Sequence, residues 1–125
     1  MILLDSSAWI DIIRNAPRAD AFRRQLEEAD SVLVPTIVIY EVYKWARRKA
    51  SERTASVAVT WMRQHTVAPL DERVALEAAD FSLEYHLAMA DAIVYATAQA
   101  YEATLVTGDA HFATLQGVEH IAPPG

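Results

Sequence analysis

Ile2-Leu3-Leu4 is an unbroken apolar run that ends, with no spacer, on the acid Asp5. A short apolar run without alternation suits a strand covered on both faces, as in a parallel sheet. Ser6 and Ser7 follow, and either hydroxyl would cap a helix beginning there. The stretch reads as strand, acid at the strand's C-terminal end, then helix. In open α/β sheets that edge is where ligands bind. Alone, Asp5 reads equally well as a turn or cap residue.

The same alternation continues along the chain. Ala8 to Asn15 reads as a short helix stopping before Pro17. Ala19 to Ala29 follows as a helix with Phe22 and Leu26 on its buried face, and Ser31 to Val34 as a second strand ended by Pro35-Thr36. Ile37 to Ala50 is a strong helix capped by Thr36, and Arg53 to His65 packs back on it through Val57, Val59, Trp61 and Met62. Thr66 to Leu70 is a strand near a sheet edge, because of Pro69. Asp71 caps a helix from Glu72 to about Tyr85, with Val74, Leu76, Ala79 and Leu83 toward the core. After a break, Met89 to Ala100 is small and apolar almost throughout and should be closely packed. Thr104 to Thr107 is the fourth strand, Gly108-Asp109 turns into a short helix through Phe112 and Leu115, and Glu119 to Ala122 is a possible last strand. Strands alternating with helices argue for an α/β sandwich around a mostly parallel sheet of four to five strands, as one domain over residues 1–125.

Composition narrows the classes. The chain has 125 residues, 53% of them hydrophobic, with three Gly and no Cys. That excludes disorder, disulfides and thiolate metal sites. No apolar stretch approaches the ~20 residues of a membrane span, and no signal peptide is visible, so a cytoplasmic location is expected. The net charge of −6 is unevenly spread: all eleven Lys and Arg lie between Arg14 and Arg73, and residues 74–125 carry seven acids and no Lys or Arg. Such asymmetry is compatible with a basic surface beside an acidic site, or with ordinary solvated helix faces.

Three acids follow strands: Asp5 after the first, Glu41 one turn into the helix after the second, Asp109 two residues past the fourth. Asp91 lies in the first turn of the close-packed helix, where the helix dipole favours an anion by ~0.3–1 kcal/mol. In a doubly wound sheet Asp5, Glu41 and Asp109 would converge, and Asp91 would face the same crevice. Clustered carboxylates repel one another, and no Lys or Arg lies within four residues of Asp5, Asp91 or Asp109; only Lys44 is that close to Glu41. A divalent cation is the natural counter-ion, and oxygen-only ligands favour Mg²⁺ or Mn²⁺ over Zn²⁺. Such an ion on carboxylates is the usual apparatus of phosphoryl chemistry. Ser7 and Thr107 are candidate hydroxyls for orienting the carboxylates, or helix caps. Each acid also has an ordinary reading as cap, dipole partner or solvent-facing residue.

The blocks Met1 to Ser7, Pro35-Thr36 to Glu41, Leu87 to Ile93 and Leu105 to Phe112 resemble those of PIN-domain ribonucleases, and the size is similar to VapC-type toxins of prokaryotic toxin–antitoxin pairs. The resemblance covers essentially the whole chain. It implies a PIN-like three-layer α/β/α sandwich and a Mg²⁺- or Mn²⁺-dependent endoribonuclease, neutralised by a small cognate antitoxin and usually a homodimer. By matching position Asp5, Glu41, Asp91 and Asp109 would be the acidic quartet, with Asp5 and Asp91 the foremost metal ligands and Thr107 the hydroxyl of the last block. His111 departs from the pattern, standing where many relatives carry a further acid. Lys44 and Arg48 share a helix face with Glu41 and are candidates to hold an RNA backbone, with Arg47 and Lys49 nearby and Arg14 and Arg18 extending the track. Trp9, Tyr40, Tyr43 and Trp45 are expected in the core, a dimer face or an antitoxin groove. The alternative is a catalytically silent PIN-like module that binds protein or RNA. A phosphatase or receiver domain is disfavoured, because Asp5-Ser6-Ser7 is not Asp-x-Asp and no strand-end Lys follows.

Overall fold

In the computed structural model, which describes residues 1–124, five strands form one all-parallel sheet. They are β1 (Ile2–Leu4), β2 (Val32–Pro35), β3 (Thr66–Ala68), β4 (Thr104–Thr107) and β5 (Val118–His120), in the spatial order β3-β2-β1-β4-β5. The helices are α1 (Ser6–Ile13), α2 (Ala19–Glu28), α3 (Thr36–Lys49), α4 (Glu52–Met62), α5 (Glu72–Tyr85) and α6 (Met89–Ala100), with a single 3-10 turn at Ala110–Phe112. All four residues of β2 are buried, as are Leu3, Leu4, Leu105, Val106 and Thr107. Successive strand residues point to opposite faces, so both faces of the central strands are covered and the architecture is a three-layer α/β/α sandwich.

The strand order creates the site. The chain runs outward from β1 through β2 to edge strand β3, then returns to the other side of β1 for β4. The direction of winding therefore reverses between β1 and β4, where a crevice opens outside the carboxyl ends of the strands. Register aligns those ends: Leu4 pairs with Val106, and Leu3 with both Leu33 and Leu105. Asp5 is the first residue beyond β1 at that reversal.

Several expectations shift. The cap of α3 is Pro35, with Thr36 inside the helix, and β3 ends at Ala68 rather than Leu70. The first helix begins at Ser6 because Asp5 is its cap, its side chain accepting from the Ala8 amide; Ser6 and Ser7 are inside the helix. The last strand is Val118–His120, one residue earlier than expected at its start. The buried faces of α4 and α5 are narrower than the apolar pattern suggests. On α4 the residues inside are Ala55, Ala58 and Met62, while Val57 is 60% exposed and Trp61 leans edge-on over buried Trp9 at 5.4 Å between ring centroids. On α5 they are Val74 and Ala78, while Leu76, Ala79 and Leu83 face outward. Both helices pack tightly on neighbours, α4 on α3 and α5 on α6. Alanine at the contact lets helix axes approach closely, a position a leucine would overfill. Among the described residues no helix is long and apolar enough to cross a membrane.

Candidate functional site

Asp5 is 6% exposed and both of its carboxylate oxygens are occupied. Oδ1 accepts from the Ser7 hydroxyl (2.9 Å) and the Ala8 amide (3.0 Å), and Oδ2 accepts from the Thr107 hydroxyl (2.6 Å). Thr107 ends β4, so this last bond spans the crevice at the point of reversal. Its Oγ1 in turn accepts from the Asp109 amide (2.9 Å), which fixes the turn after β4. Burial pushes the Asp5 carboxyl above its ordinary value; the Thr107, Ala8 and Ser7 donors pull it back, and Asp109 adds to the rise.

The other three acids arrive from separate elements. Glu41 lies in the second turn of α3, held near the sheet edge because Pro35 ends β2 and Thr36 opens the helix without a linker. Burial raises its carboxyl, the Ser6 side chain lowers it, and Asp91 and Asp5 raise it further. Asp91 is in the first turn of α6, which is entered from His86, where a left-handed backbone (φ 58°) ends α5. Its carboxyl is raised by burial, then by Asp109 and Asp5, and lowered by His111. Asp109 caps the 3-10 turn, its Oδ1 accepting from the His111 amide (2.9 Å). Asp109 thus acts on Asp5, Asp109 and Asp5 act on Asp91, and Asp91 and Asp5 act on Glu41, so the four acids lie within electrostatic reach of one another at the carboxyl ends of the strands.

Their charge is poorly compensated. Among the described residues no Lys or Arg pairs with any of the four; the one basic contact is exposed His111, whose Nδ1 lies 2.9 Å from Asp109 Oδ1. The donor set is all oxygen, which suits a hard divalent cation, and such an ion would relieve the mutual repulsion. As the side chains stand, no three of the described His, Asp and Glu converge closely enough to hold an ion.

Two separate hollows adjoin the acids. The one beside Glu41 is lined by Ser6, Tyr40, Lys44, Arg48 and Lys49, so Lys44 and Arg48 share the face that Glu41 occupies. Tyr40 is 60% exposed, with Lys44 Nζ 5.6 Å above its ring. The one beside Asp91 is lined by Tyr85, His86, Leu87 and His111. Trp9 is in the core. Arg14 and Arg18 do not form a free basic track: both bind Asp11, a buried acid on α1, through Arg14 Nη2 to Oδ1 (3.0 Å) and Arg18 Nε to Oδ2 (3.3 Å). Asp11 and its arginines were missed as a unit in the sequence, although one acid within Ala8-Trp9-Ile10-Asp11-Ile12-Ile13 signals a buried charge that needs a partner. Ser6, expected as a cap, instead reaches Glu41, and His111, the departure from the family pattern, sits against Asp109.

Comparison with known proteins adds the family. The PIN domain family model matches residues 2–118. A toxin–antitoxin complex from Klebsiella pneumoniae contains a chain that superposes with a TM-score of 0.81 at 24% identity, covering 99% of this chain and 98% of its own. VapC20 of Mycobacterium tuberculosis, described as a Sarcin-Ricin loop cleaving toxin, superposes with a TM-score of 0.80 at 17% identity, covering 98% of this chain and 100% of its own. DNA-bound VapBC from Salmonella typhimurium gives 0.77 at 18% identity, with 99% and 100% covered. At these identities the likeness shows the fold. No curated protein sequence matches the chain.

Proposed function

The chain belongs to the PIN domain family, and from that premise we propose that it is a divalent-metal-dependent endoribonuclease and the toxin of a toxin–antitoxin pair. One observation carries the reading: four carboxylates from four separate elements lie within electrostatic reach of one another near the β1–β4 reversal, three of them raised in pKa by burial and by neighbouring acids, and among the described residues none is paired with a Lys or Arg. A site that concentrates uncompensated acid in this way is built for a cation. Asp5, Glu41, Asp91 and Asp109 would hold Mg²⁺ or Mn²⁺, which supplies polarisation of the phosphate and charge neutralisation in the transition state.

The chain's own residues set up the rest. Ser7, Ala8 and Thr107 hold Asp5 in one orientation, so its geometry is fixed before substrate arrives. Lys44 and Arg48 hold the RNA backbone beside Glu41, a contact independent of sequence. Water would attack the phosphorus and give up a proton to one of the carboxylates, the bond to one ester oxygen would break, and that leaving oxygen would take a proton from solvent, so that the proton count balances. The similar structures described as toxin–antitoxin complexes support a small antitoxin as partner. The VapC20 likeness supports structured cellular RNA as the substrate class. A homodimer is proposed on the family resemblance.

One observation favours a catalytically silent binding module instead, namely that no three of the described acids converge as the side chains stand. A single experiment separates the two. The purified protein, free of antitoxin, is incubated with cellular RNA in Mn²⁺, in Mg²⁺ and in EDTA. The nuclease reading expects discrete fragments with metal and none with EDTA. Intact RNA under every condition supports the silent module.

A further inference from the structure

We infer that Arg18 is a positioning residue: it holds the Gly108 peptide, and through it Asp109 and the Thr107 hydroxyl, in register with Asp5. The inference rests on the reading of the four acids as a metal site, and it adds a residue from outside them. Arg18 directly precedes α2, and its side chain is 22% exposed. Nη1 donates to the Gly108 carbonyl (2.8 Å) and to the Ile121 carbonyl (3.2 Å), while Nε reaches Asp11 Oδ2 (3.3 Å). One guanidinium thus ties α1, the turn after β4 and the segment after β5.

The peptide it grips lies between the two residues of that turn that face the crevice. Thr107 on one side donates to Asp5, and Asp109 on the other is an acid of the quartet whose amide donates back to Thr107. The Ile121 amide donates to the Thr107 carbonyl (2.8 Å), and His120 Nε2 lies 3.3 Å from the Gly108 carbonyl. A Cβ at 108 would stand 2.5 Å from Arg18 Nη1 and 2.6 Å from Cζ, so any larger residue there would have to displace the guanidinium from its three acceptors.

Buried ion pairs seldom stabilise a fold more than apolar side chains of the same volume would; where they are kept, fixing one geometry is a reason. The Asp11–Arg18 pair fits that role. Asp11 is 5% exposed, its other oxygen is taken by Arg14, and it serves to orient the Arg18 fork toward Gly108. A planar guanidinium reaches these acceptors from two nitrogens in fixed directions, whereas an ammonium carries its three donors on a single atom.

The test compares Arg18→Lys and Arg18→Gln with wild type, and uses Val74→Ala, a core substitution on α5 away from the crevice, as the control for lost stability. Three quantities are read: hydrogen exchange at the Asp109 amide, affinity for Mn²⁺ alone by titration calorimetry, and RNA cleavage. The folded Arg18 variants should exchange the Asp109 amide faster and bind Mn²⁺ about 10–100-fold more weakly, as loss of an outer partner of a metal ligand does. Their kcat should fall with KM for RNA unchanged, while Val74→Ala binds Mn²⁺ as wild type does. The inference is overturned if both folded Arg18 variants keep Mn²⁺ affinity within about twofold and wild-type exchange at Asp109, or if Val74→Ala loses as much affinity. If wild type neither binds Mn²⁺ nor cuts RNA, the nuclease reading fails, and exchange at Asp109 still decides whether Arg18 holds the turn.

Discussion

The Thr107 hydroxyl donates to Asp5 Oδ2 at 2.6 Å, joining residues 102 positions apart in the chain. The Thr107 hydroxyl oxygen in turn accepts from the Asp109 amide, so one side chain links two of the four acids and closes β1 to β4 at the reversal of the sheet. Thr107→Val keeps the shape and removes both bonds. It leaves the Asp109 amide without this acceptor, a loss of about 1–3 kcal/mol that denaturant unfolding will register. It also removes the donor that most lowers the Asp5 carboxyl, so the acid limb of the pH–rate profile should move to higher pH.

The raised carboxyls fix how stability depends on pH. Asp5, Glu41 and Asp91 have folded pKa values above their ordinary ones, so the folded state holds their protons more tightly than the unfolded chain does. Their contribution is present below the ordinary carboxylate range and is lost as pH rises through the raised values. Metal-free protein should therefore lose stability over that interval. Asp91→Asn should flatten this dependence and leave the neutral-pH melting temperature equal to or above that of wild type. Thermal unfolding in EDTA across the acidic to neutral range checks it.

Mn²⁺ should reverse the same repulsion. At a concentration of ~100 times its Kd, a ligand that binds only the folded state adds ~2.7 kcal/mol. The melting temperature should rise with Mn²⁺ and return with EDTA, and Asp5→Asn should abolish most of the rise.

The basic flank should act on binding alone. Lys44→Ala with Arg48→Ala should raise KM for RNA and leave kcat at saturating RNA unchanged. If each side chain neutralises one phosphate of a single strand, the slope of log affinity against log salt should shrink by ~0.7 for each. An unchanged slope removes both residues from the RNA path.

Much of this was legible in the sequence. Apolar runs ending on Asp5, Thr36 and Thr107 locate the strand ends, and those ends position three of the acids. The alternation of strands and helices around a parallel sheet follows from the same pattern, and the expected edge strand is β3, which ends at Ala68 just before Pro69. The faces of α4 and α5 were not legible, because the expectation put the largest apolar residues inside, whereas close helix packing takes Ala55, Ala58 and Ala78 and leaves Val57, Leu76 and Leu83 outside. Arg18 was misread for a related reason. Its partners are an acid seven residues back and two backbone carbonyls about a hundred residues on, and carbonyls leave no trace in side-chain pattern.

The most direct test of the central claim is Mn²⁺-dependent RNA cleavage by Asp91→Asn beside wild type. Asp91 does not cap α6, whose N-cap is Ala88, and the dipole term lost with its charge is at most ~1 kcal/mol, so its loss chiefly reports charge at the site. Metal-site chemistry predicts a fall of at least about 100-fold in kcat/KM, the upper end of what even an outer partner of a metal ligand costs, with the melting temperature unchanged or higher. A folded Asp91→Asn protein that cuts RNA as wild type does would contradict it.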